Sequence, residues 1–278
     1  MTEPSPAGRP ASDDAGILAA LAELPAMLPR RLAAVLMGTS PDEAWTDIRA
    51  GLFRARPSLR GLLGRDPDGL AERWRVAASA VDPVRVAARY DAAGVKAVRL
   101  GGDGYPEVLG DDPEPPAVLF VRGDLSVLAR PAVAVVGTRN CTHSGAEIAR
   151  WLGAEIADRG GVVVSGLALG IDAAAHRGAL SRSTGSVAGV VGSGLDVVYP
   201  RRHTRLWSDV GSHGVLVSEA PLGAEPAAWR FPARNRMIAA LAVVVVVVES
   251  HDRGGSLVTA RLGFERGRSV LVVPGSIW

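Results

Sequence analysis

The chain has 278 residues, 47% hydrophobic, 22% charged and 5% aromatic, with 33 glycines, 19 prolines and one cysteine. That is enough apolar material for one large domain or two smaller ones with a packed core, and it excludes disorder as the state of the whole chain. The 31 basic and 29 acidic side chains leave a net charge of +2, which argues for nucleic acid only if the fold gathers arginines on one face.

One cysteine cannot form an intramolecular disulfide or a thiolate cage, and the N-terminal run has no basic segment followed by an apolar one. The sequence therefore reads as a cytoplasmic protein. The longest apolar run, Met237 to Val248, is 12 residues, short of the roughly 20 that a spanning helix needs, so no membrane span is expected. Lys96 is the only lysine and follows Val95. A phosphate-binding loop of the GxxxxGK[ST] type is thereby excluded, and no GxSxG nucleophile elbow occurs.

In chain order, residues 1–14 are rich in Pro, Ser, Ala and Asp without periodicity and read as a disordered tail. From Ile17 to Asp91 apolar residues recur at helical spacing, and Ser40-Pro41-Asp42-Glu43 carries a cap and a first-turn proline. This predicts a small all-helical domain over residues 15–95. Gly101 to Gly123 reads as irregular and proline-rich. From residue 131 onward short β-branched runs alternate with helical segments, and strands are predicted at Ala132–Val136, Val162–Ser165, Ser186–Val191, Val215–Ser218, Val243–Val248 and Val270–Val273. Continuous apolar strands separated by helices define an α/β, Rossmann-like, doubly wound and mostly parallel sheet, here over residues 96–278. In such sheets ligands bind beyond the carboxyl ends of the strands. Residues 131–278 hold 15 arginines and 11 acids (+4), against 2 and 6 (−4) over residues 101–130, which favours the later half for anions.

The first strand runs into Gly137-Thr138-Arg139, with Ser144 and Glu147 spaced as a capping box for the following helix. That loop fits either a phosphate site at a helix N-terminus or a plain tight turn. The second strand ends in Ser165-Gly166-Leu167-Ala168-Leu169-Gly170-Ile171-Asp172, and Asp172 and His176 share one helical face; Asp172 is expected to cap the helix and orient His176. No third ligand accompanies them, so no metal is expected. Gly192-Ser193-Gly194 lacks the third glycine of a dinucleotide fingerprint, which argues against nicotinamide and flavin cofactors. Trp229-Arg230-Phe231-Pro232-Ala233-Arg234-Asn235-Arg236 sets arginines beside aromatics, suited to a backbone phosphate with a base on a ring, or else to solvated arginines at a helix start. Ser256 and Thr259, after Gly254-Gly255, are either ligand contacts or caps. Cys141 has no nucleophile setting although His143 is close.

Taken together, the Gly137-Thr138-Arg139 loop, the Ser165–Asp172 string with His176, Gly194-Leu195-Asp196 with Tyr199-Pro200, the Phe231–Arg236 string, Gly255–Ala260, Gly267-Arg268 and Pro274-Gly275 resemble the DNA-processing protein A (DprA/Smf) family in order and spacing across residues 103–275. The resemblance implies a non-enzymatic, dimeric protein that binds single-stranded DNA at the strand ends and loads the RecA recombinase in natural transformation or recombination, without a cofactor. Carried over by position, Arg139, Arg234 and Arg236 are the expected phosphate contacts. Gly166, Gly170, Gly192 and Gly194 are expected to admit the DNA, and Gly137, Thr138, Ser165, Arg230, Phe231, Asn235 and Ser256 complete the expected contacts. Departures are Gly254-Gly255-Ser256 in place of Ser-Gly-Ser, Gly263-Phe264-Glu265 where small residues are usual, and a helical region only loosely similar to the family's N-terminal domain. The sequence stops at Trp278, ahead of the family's later Gly-x-Asn segment and winged-helix domain. A nucleotide-binding or nucleotide-cleaving enzyme using Asp172, His176 or Glu249 is the alternative, and a protein-binding scaffold a third reading.

Overall fold

A computed structural model describes residues 12–275, residues 56 and 60 excepted, and the chain divides into two units, residues 1–97 and 98–278. The tail expected over residues 1–14 lies outside the described residues up to residue 11, and a helix already begins at Ser12.

The first unit contains helices α1 (Ser12–Ala22), α2 (Pro29–Leu36), α3 (Pro41–Ala50), α4 (Pro67–Ala80) and α5 (Pro83–Ala92). Each of α2 to α5 opens on a proline, whose missing N–H falls where no intrahelical partner exists. Ser40 and Glu43 form a reciprocal capping box on α3, and Asp66 and Asp82 cap α4 and α5. Ile17, Leu18 and Leu21 on α1 and Val86 and Tyr90 on α5 are buried where these two helices pack together. Gly16 allows this approach, because a Cβ there would lie 2.4 Å from the Pro83 carbonyl oxygen. Trp74 is fully buried, stacks 5.1 Å from Phe53 and donates its indole N–H to the Pro25 carbonyl.

The second unit is built on a mixed sheet. Strand β1 (Lys96–Arg99) straddles the division; then come α6 (Glu107–Gly110), β2 (Val118–Gly123), β3 (Ala132–Val136), α7 (His143–Asp158), β4 (Val162–Ser165), α8 (Ile171–Leu180), β5 (Ser186–Val190), α9 (Thr204–His213), β6 (Val215–Ser218), α10 (Arg230–Leu241), β7 (Val244–Val247), α11 (Gly255–Glu265) and β8 (Ser269–Val272). The strand order is β1-β2-β6-β5-β4-β3-β7-β8, parallel from β6 to β8, with β2 antiparallel to β6. On one face α8 packs between α7 and α9, while α10 packs on α11 on the other. Val162, Val163 and Val164 are wholly buried, the expected consequence of a sheet covered on both faces. The fold class is thus the doubly wound α/β architecture expected from the sequence.

Three local expectations are corrected. The stretch Gly101–Gly123 is not irregular throughout: it holds α6 and the buried strand β2, in register Phe120↔Ser218, because Pro115 and Pro116 precede the strand rather than interrupt it. Helix α7 is capped by Thr142, whose Oγ1 accepts from the Gly145 amide, and Ser144 lies inside the helix. Asp172 does not cap α8, whose N-cap is Gly170, and no hydrogen bond joins Asp172 to His176. Among the described residues no helix is long and apolar enough to cross a membrane.

Candidate nucleic-acid interface

The sheet order reverses between β3 and β7, which places a crevice at the carboxyl ends of these strands. The Thr138 amide donates to the Glu249 carbonyl at 2.7 Å across this point, and the Ile171 amide donates to the Thr138 carbonyl. Gly137 and Gly170 have no room for a side chain: a Cβ on Gly137 would lie 2.4 Å from Ile171, and one on Gly170 2.3 Å from the Thr138 carbonyl. The glycines therefore serve first to bring the β3–α7 and β4–α8 loops together. Their packing leaves the Arg139 side chain exposed at the rim.

The loop after β4 is clamped from beneath. Asp172 accepts from the amides of Gly166 (3.1 Å) and Ala168 (3.4 Å), and His203 meets the Leu167 carbonyl at 2.9 Å. Leu167 adopts φ 53°, a left-handed conformation unusual for leucine and held by these contacts. Arg234, reaching down from α10, donates to the carbonyls of Gly166 (2.8 Å) and Val190. A Cβ on Gly166 would collide with that guanidinium at 2.4 Å. Burial lowers the Arg234 pKa to about 10, partly offset by Asp172, and burial raises that of Asp172.

Above this floor lies an open pocket of about 430 Å³, the solvent at its mouth included, lined by Arg139, Gly166, Leu169, Gly192, Phe231 and Arg234 among others. Tyr199 and Pro200 close one side. The Arg139 guanidinium sits 5.2 Å from the Phe231 ring centroid, and the Phe231 and Tyr199 rings are 5.6 Å apart. Arg230 lies over Trp229 at 4.8 Å, and its backbone passes over Gly192. The pocket thus offers aromatic faces next to guanidinium groups.

Other expected contacts are placed elsewhere. Ser165 is wholly buried and donates its hydroxyl to Val135 at 2.6 Å. Gly194 packs against Pro221 and Ala224 rather than on the pocket. Arg236 turns away and pairs with Glu219 at 2.5 Å, with both side chains largely buried. Asn235 bonds the Gly255 carbonyl, and Ser256 donates to Ser250, so both organise the β7–α11 loop. Glu249 accepts from the Thr142 amide and hydroxyl; burial, and after it the Glu249 charge, raises the Cys141 pKa. None of Asp172, His176 and Glu249, the acid–base candidates, lines the pocket. Sequence reasoning left Tyr199 out of the contacts; the signal was its place after the third strand-end loop, next to Pro200.

The arginines are not distributed evenly in their pairing. On helices Arg150 pairs with Glu147, Arg205 with Asp209 and Arg261 with Glu265; Arg159, at the C-cap of α7, pairs with Glu155, and Arg182, in the turn after α8, with Asp158. On the rim, Arg139, Arg201, Arg202 and Arg253 have no ion pair among the described residues; away from it the same holds in this unit for Arg122, Arg130, Arg177 and Arg268, of which Arg130 and Arg268 are bonded to carbonyl oxygens instead. The rim therefore carries exposed positive charge that no carboxylate neutralises, which the small net charge of the chain conceals.

These features define a Rossmann-like α/β protein with an exposed arginine beside two aromatic rings at its strand-end rim. The family described as DNA recombination-mediator protein A matches residues 96–278, and the chain belongs to that family. It is 39% identical to DNA processing protein DprA of Bacillus subtilis over 195 residues (70% of this chain, 65% of that protein) and 45% identical to protein Smf of Escherichia coli over 174 residues (62% and 46%). The chain thus spans about half to two thirds of the length of these curated relatives. The crystal structure of DprA from Streptococcus pneumoniae superposes with a TM-score of 0.70 at 32% identity, covering 90% of this chain and 88% of that one. DNA processing protein A of Helicobacter pylori, which has a unique single-stranded DNA binding mode, gives 0.60 at 29% identity, covering 66% and 82%.

Proposed function

We propose that this protein binds single-stranded DNA in the strand-end pocket, performs no bond-breaking chemistry there, and acts as a dimer that passes the strand to a RecA-type recombinase. The observation that carries the reading is Arg139 over the Phe231 ring with Tyr199 alongside, an unpaired cation next to an open aromatic surface. A single strand offers both phosphates and unstacked bases, whereas a duplex hides its base faces. Family membership and the single-strand binding of the Helicobacter pylori protein support the same substrate.

The test is fluorescence anisotropy with labelled single- and double-stranded oligonucleotides over a salt series. The expected result is a preference for the single strand and a salt slope that falls by about 0.7 log units per log unit of salt in Arg139→Ala, the loss of one phosphate contact. Arg236→Met is expected to keep the wild-type slope, since its guanidinium is bound to Glu219 away from the pocket. No binding to either DNA at low salt overturns the reading. Hand-over is tested by RecA filament assembly on a strand coated with single-strand-binding protein; acceleration by wild type and none by Arg139→Ala is expected.

A further inference from the structure

We infer that Glu219 is a positioning residue for the ring that receives the base: through Arg236 it fixes the roll of α10 and so holds Phe231 opposite Tyr199. This rests on the single-strand reading above and says what keeps its stacking surface in place.

Two walls of the pocket come from different parts of the chain. One is the segment after β5, with Gly192, Ser193 and Tyr199; the other is the start of α10, with Phe231 and Arg234. The first wall is fixed to β6: the Val191 amide donates to the Val217 carbonyl at 2.9 Å, and the Ser218 hydroxyl donates to the Ser193 carbonyl at 2.8 Å. Glu219 is the next residue, and its carboxylate accepts from the Arg236 guanidinium on α10 at 2.5 Å. A short path through Ser193, Ser218, Glu219 and Arg236 therefore joins the two walls.

The second wall depends on this tether. Met237, Ile238 and Leu241 pack the later half of α10 into the core, but the helix starts without a side-chain cap and with no acid in its first turn. Its early half is held by what its side chains reach. Arg234 binds the Gly166 and Val190 carbonyls, which sets the depth of the helix but leaves it able to turn about that contact. Asn235 adds one longer bond, 3.3 Å, to the Gly255 carbonyl. Arg236 lies about 200° around the helix from Arg234, so its contact opposes such a turn. A roll of about 15° moves a ring lying about 6 Å from the helix axis by about 1.5 Å. That is enough to disturb the alignment of the Phe231 and Tyr199 rings, whose centroids are 5.6 Å apart.

No other carboxylate can take over the same role. Asp112 feels the Arg236 charge but is already held by Arg266 through two bonds, at 2.5 and 3.1 Å. Glu114 is near Glu219 and stands, like Asp112, on the segment before β2. Without the Glu219 charge, Arg236 is drawn toward that segment and α10 turns with it.

The experiment compares binding of an oligothymidine strand with that of an abasic strand of equal length, which keeps the phosphates and lacks the bases. Wild type is expected to prefer the base-bearing strand about tenfold, the worth of one stacked base. Glu219→Leu/Arg236→Met replaces the pair by apolar side chains, a change that often leaves stability unaltered. Its melting temperature, its binding of the abasic strand and its salt slope are expected to match wild type, while its preference for bases is lost. Glu219→Gln keeps the shape and removes the charge; it is expected to lose the preference too, at a lower melting temperature because Arg236 is left without its anion. A folded double variant that keeps the tenfold preference overturns the inference and leaves the single-strand reading intact. Should the double variant not fold, Glu219→Gln decides in the same way, since a purely structural defect weakens both strands alike. Wild type that binds the two strands equally removes the stacked base and this inference with it, and wild type that binds neither overturns the single-strand reading as well.

Discussion

Arg234→Met is expected to destabilise the α/β unit by about 3–5 kcal/mol, because it removes the charge that compensates a buried carboxylate. At about 2–4 °C per kcal/mol for a domain of this size, the melting temperature should fall by roughly 6–20 °C. Arg234 is almost wholly buried and donates to the Gly166 and Val190 carbonyls. The methionine fills the space but leaves both carbonyls without that donor and Asp172 without its cation. Burial already raises the Asp172 pKa against the pull of Arg234. With the folded pKa above its unfolded value, the folded state binds more protons in the window between the two, so stability falls as pH rises through it. The Arg234→Met penalty should therefore be largest at neutral pH and shrink on acidification, and Asp172→Asn in the same chain should recover part of it. Denaturant unfolding of the two single variants and the double variant at pH 7 and pH 5 measures this coupling. A variant within 0.5 kcal/mol of wild type, by order of magnitude a surface change, that instead loses salt slope on DNA would make Arg234 a solvent-facing phosphate contact.

Arg234 and Arg236 show what the sequence conveys about such a site and what it does not. Both stand in one Arg-Asn-Arg string, and chain order alone assigns both to the strand-end rim. Two residues along a helix is about 200° of rotation, so they face opposite ways. One enters the pocket floor and the other pairs with Glu219 behind it. Which face of α10 is turned to the pocket depends on the packing of Met237, Ile238 and Leu241 against the sheet, a long-range fact. Ser165 is a similar case, since the last residue of a strand points either into the sheet or out of it, and here it bonds Val135. The parallel strands were legible because burial on both faces demands unbroken valine runs such as Val243 to Val248. Strand β2 was not, because four apolar residues behind a proline pair resemble a loop until β6 supplies their partner.

Charge was the least legible property. A net charge of +2 says nothing about where cations lie, and a helix can carry an arginine's partner three or four residues away, as for Arg150 with Glu147 and Arg261 with Glu265. Rim loops have no such spacing to offer, so their arginines stay unpaired once the fold collects them. This links local structure to function: Arg150, Arg205 and Arg261 find a carboxylate on their own helix, whereas Arg139, Arg201, Arg202 and Arg253, on the loops that the doubly wound topology gathers, do not.

The wild-type protein is expected to lose stability as pH falls from about 6.5 toward about 3, at a rate approaching about 1.4 kcal/mol per pH unit from one residue, His176. Its ring is completely buried, and neither nitrogen has a hydrogen-bond partner. Burial lowers its pKa to about 3, the Ser165 backbone pulls the other way, and His203 and Arg234 add smaller contributions to the depression. In the unfolded chain the ring takes up a proton near 6.5, whereas the folded protein refuses it until far lower pH. Across that window the unfolded state binds more protons, so the stabilisation is complete above 6.5 and is lost on acidification. Asp172 acts with the opposite sign, so the measurement is the difference between wild type and His176→Leu in denaturant unfolding at pH 7, 6 and 5. The leucine matches the apolar surroundings and removes two unsatisfied nitrogens, so stability at pH 7 should be equal or higher. Parallel pH profiles in the two proteins would show that His176 is protonated in the fold. Diverging profiles would also bear on binding, because α8 carries His176 four residues beyond Asp172, which holds the pocket floor through Gly166 and Ala168. With a folded pKa of about 3 the ring stays neutral and the floor undisturbed at both pH 6 and pH 5, so single-strand affinity should change equally in wild type and His176→Leu over that interval.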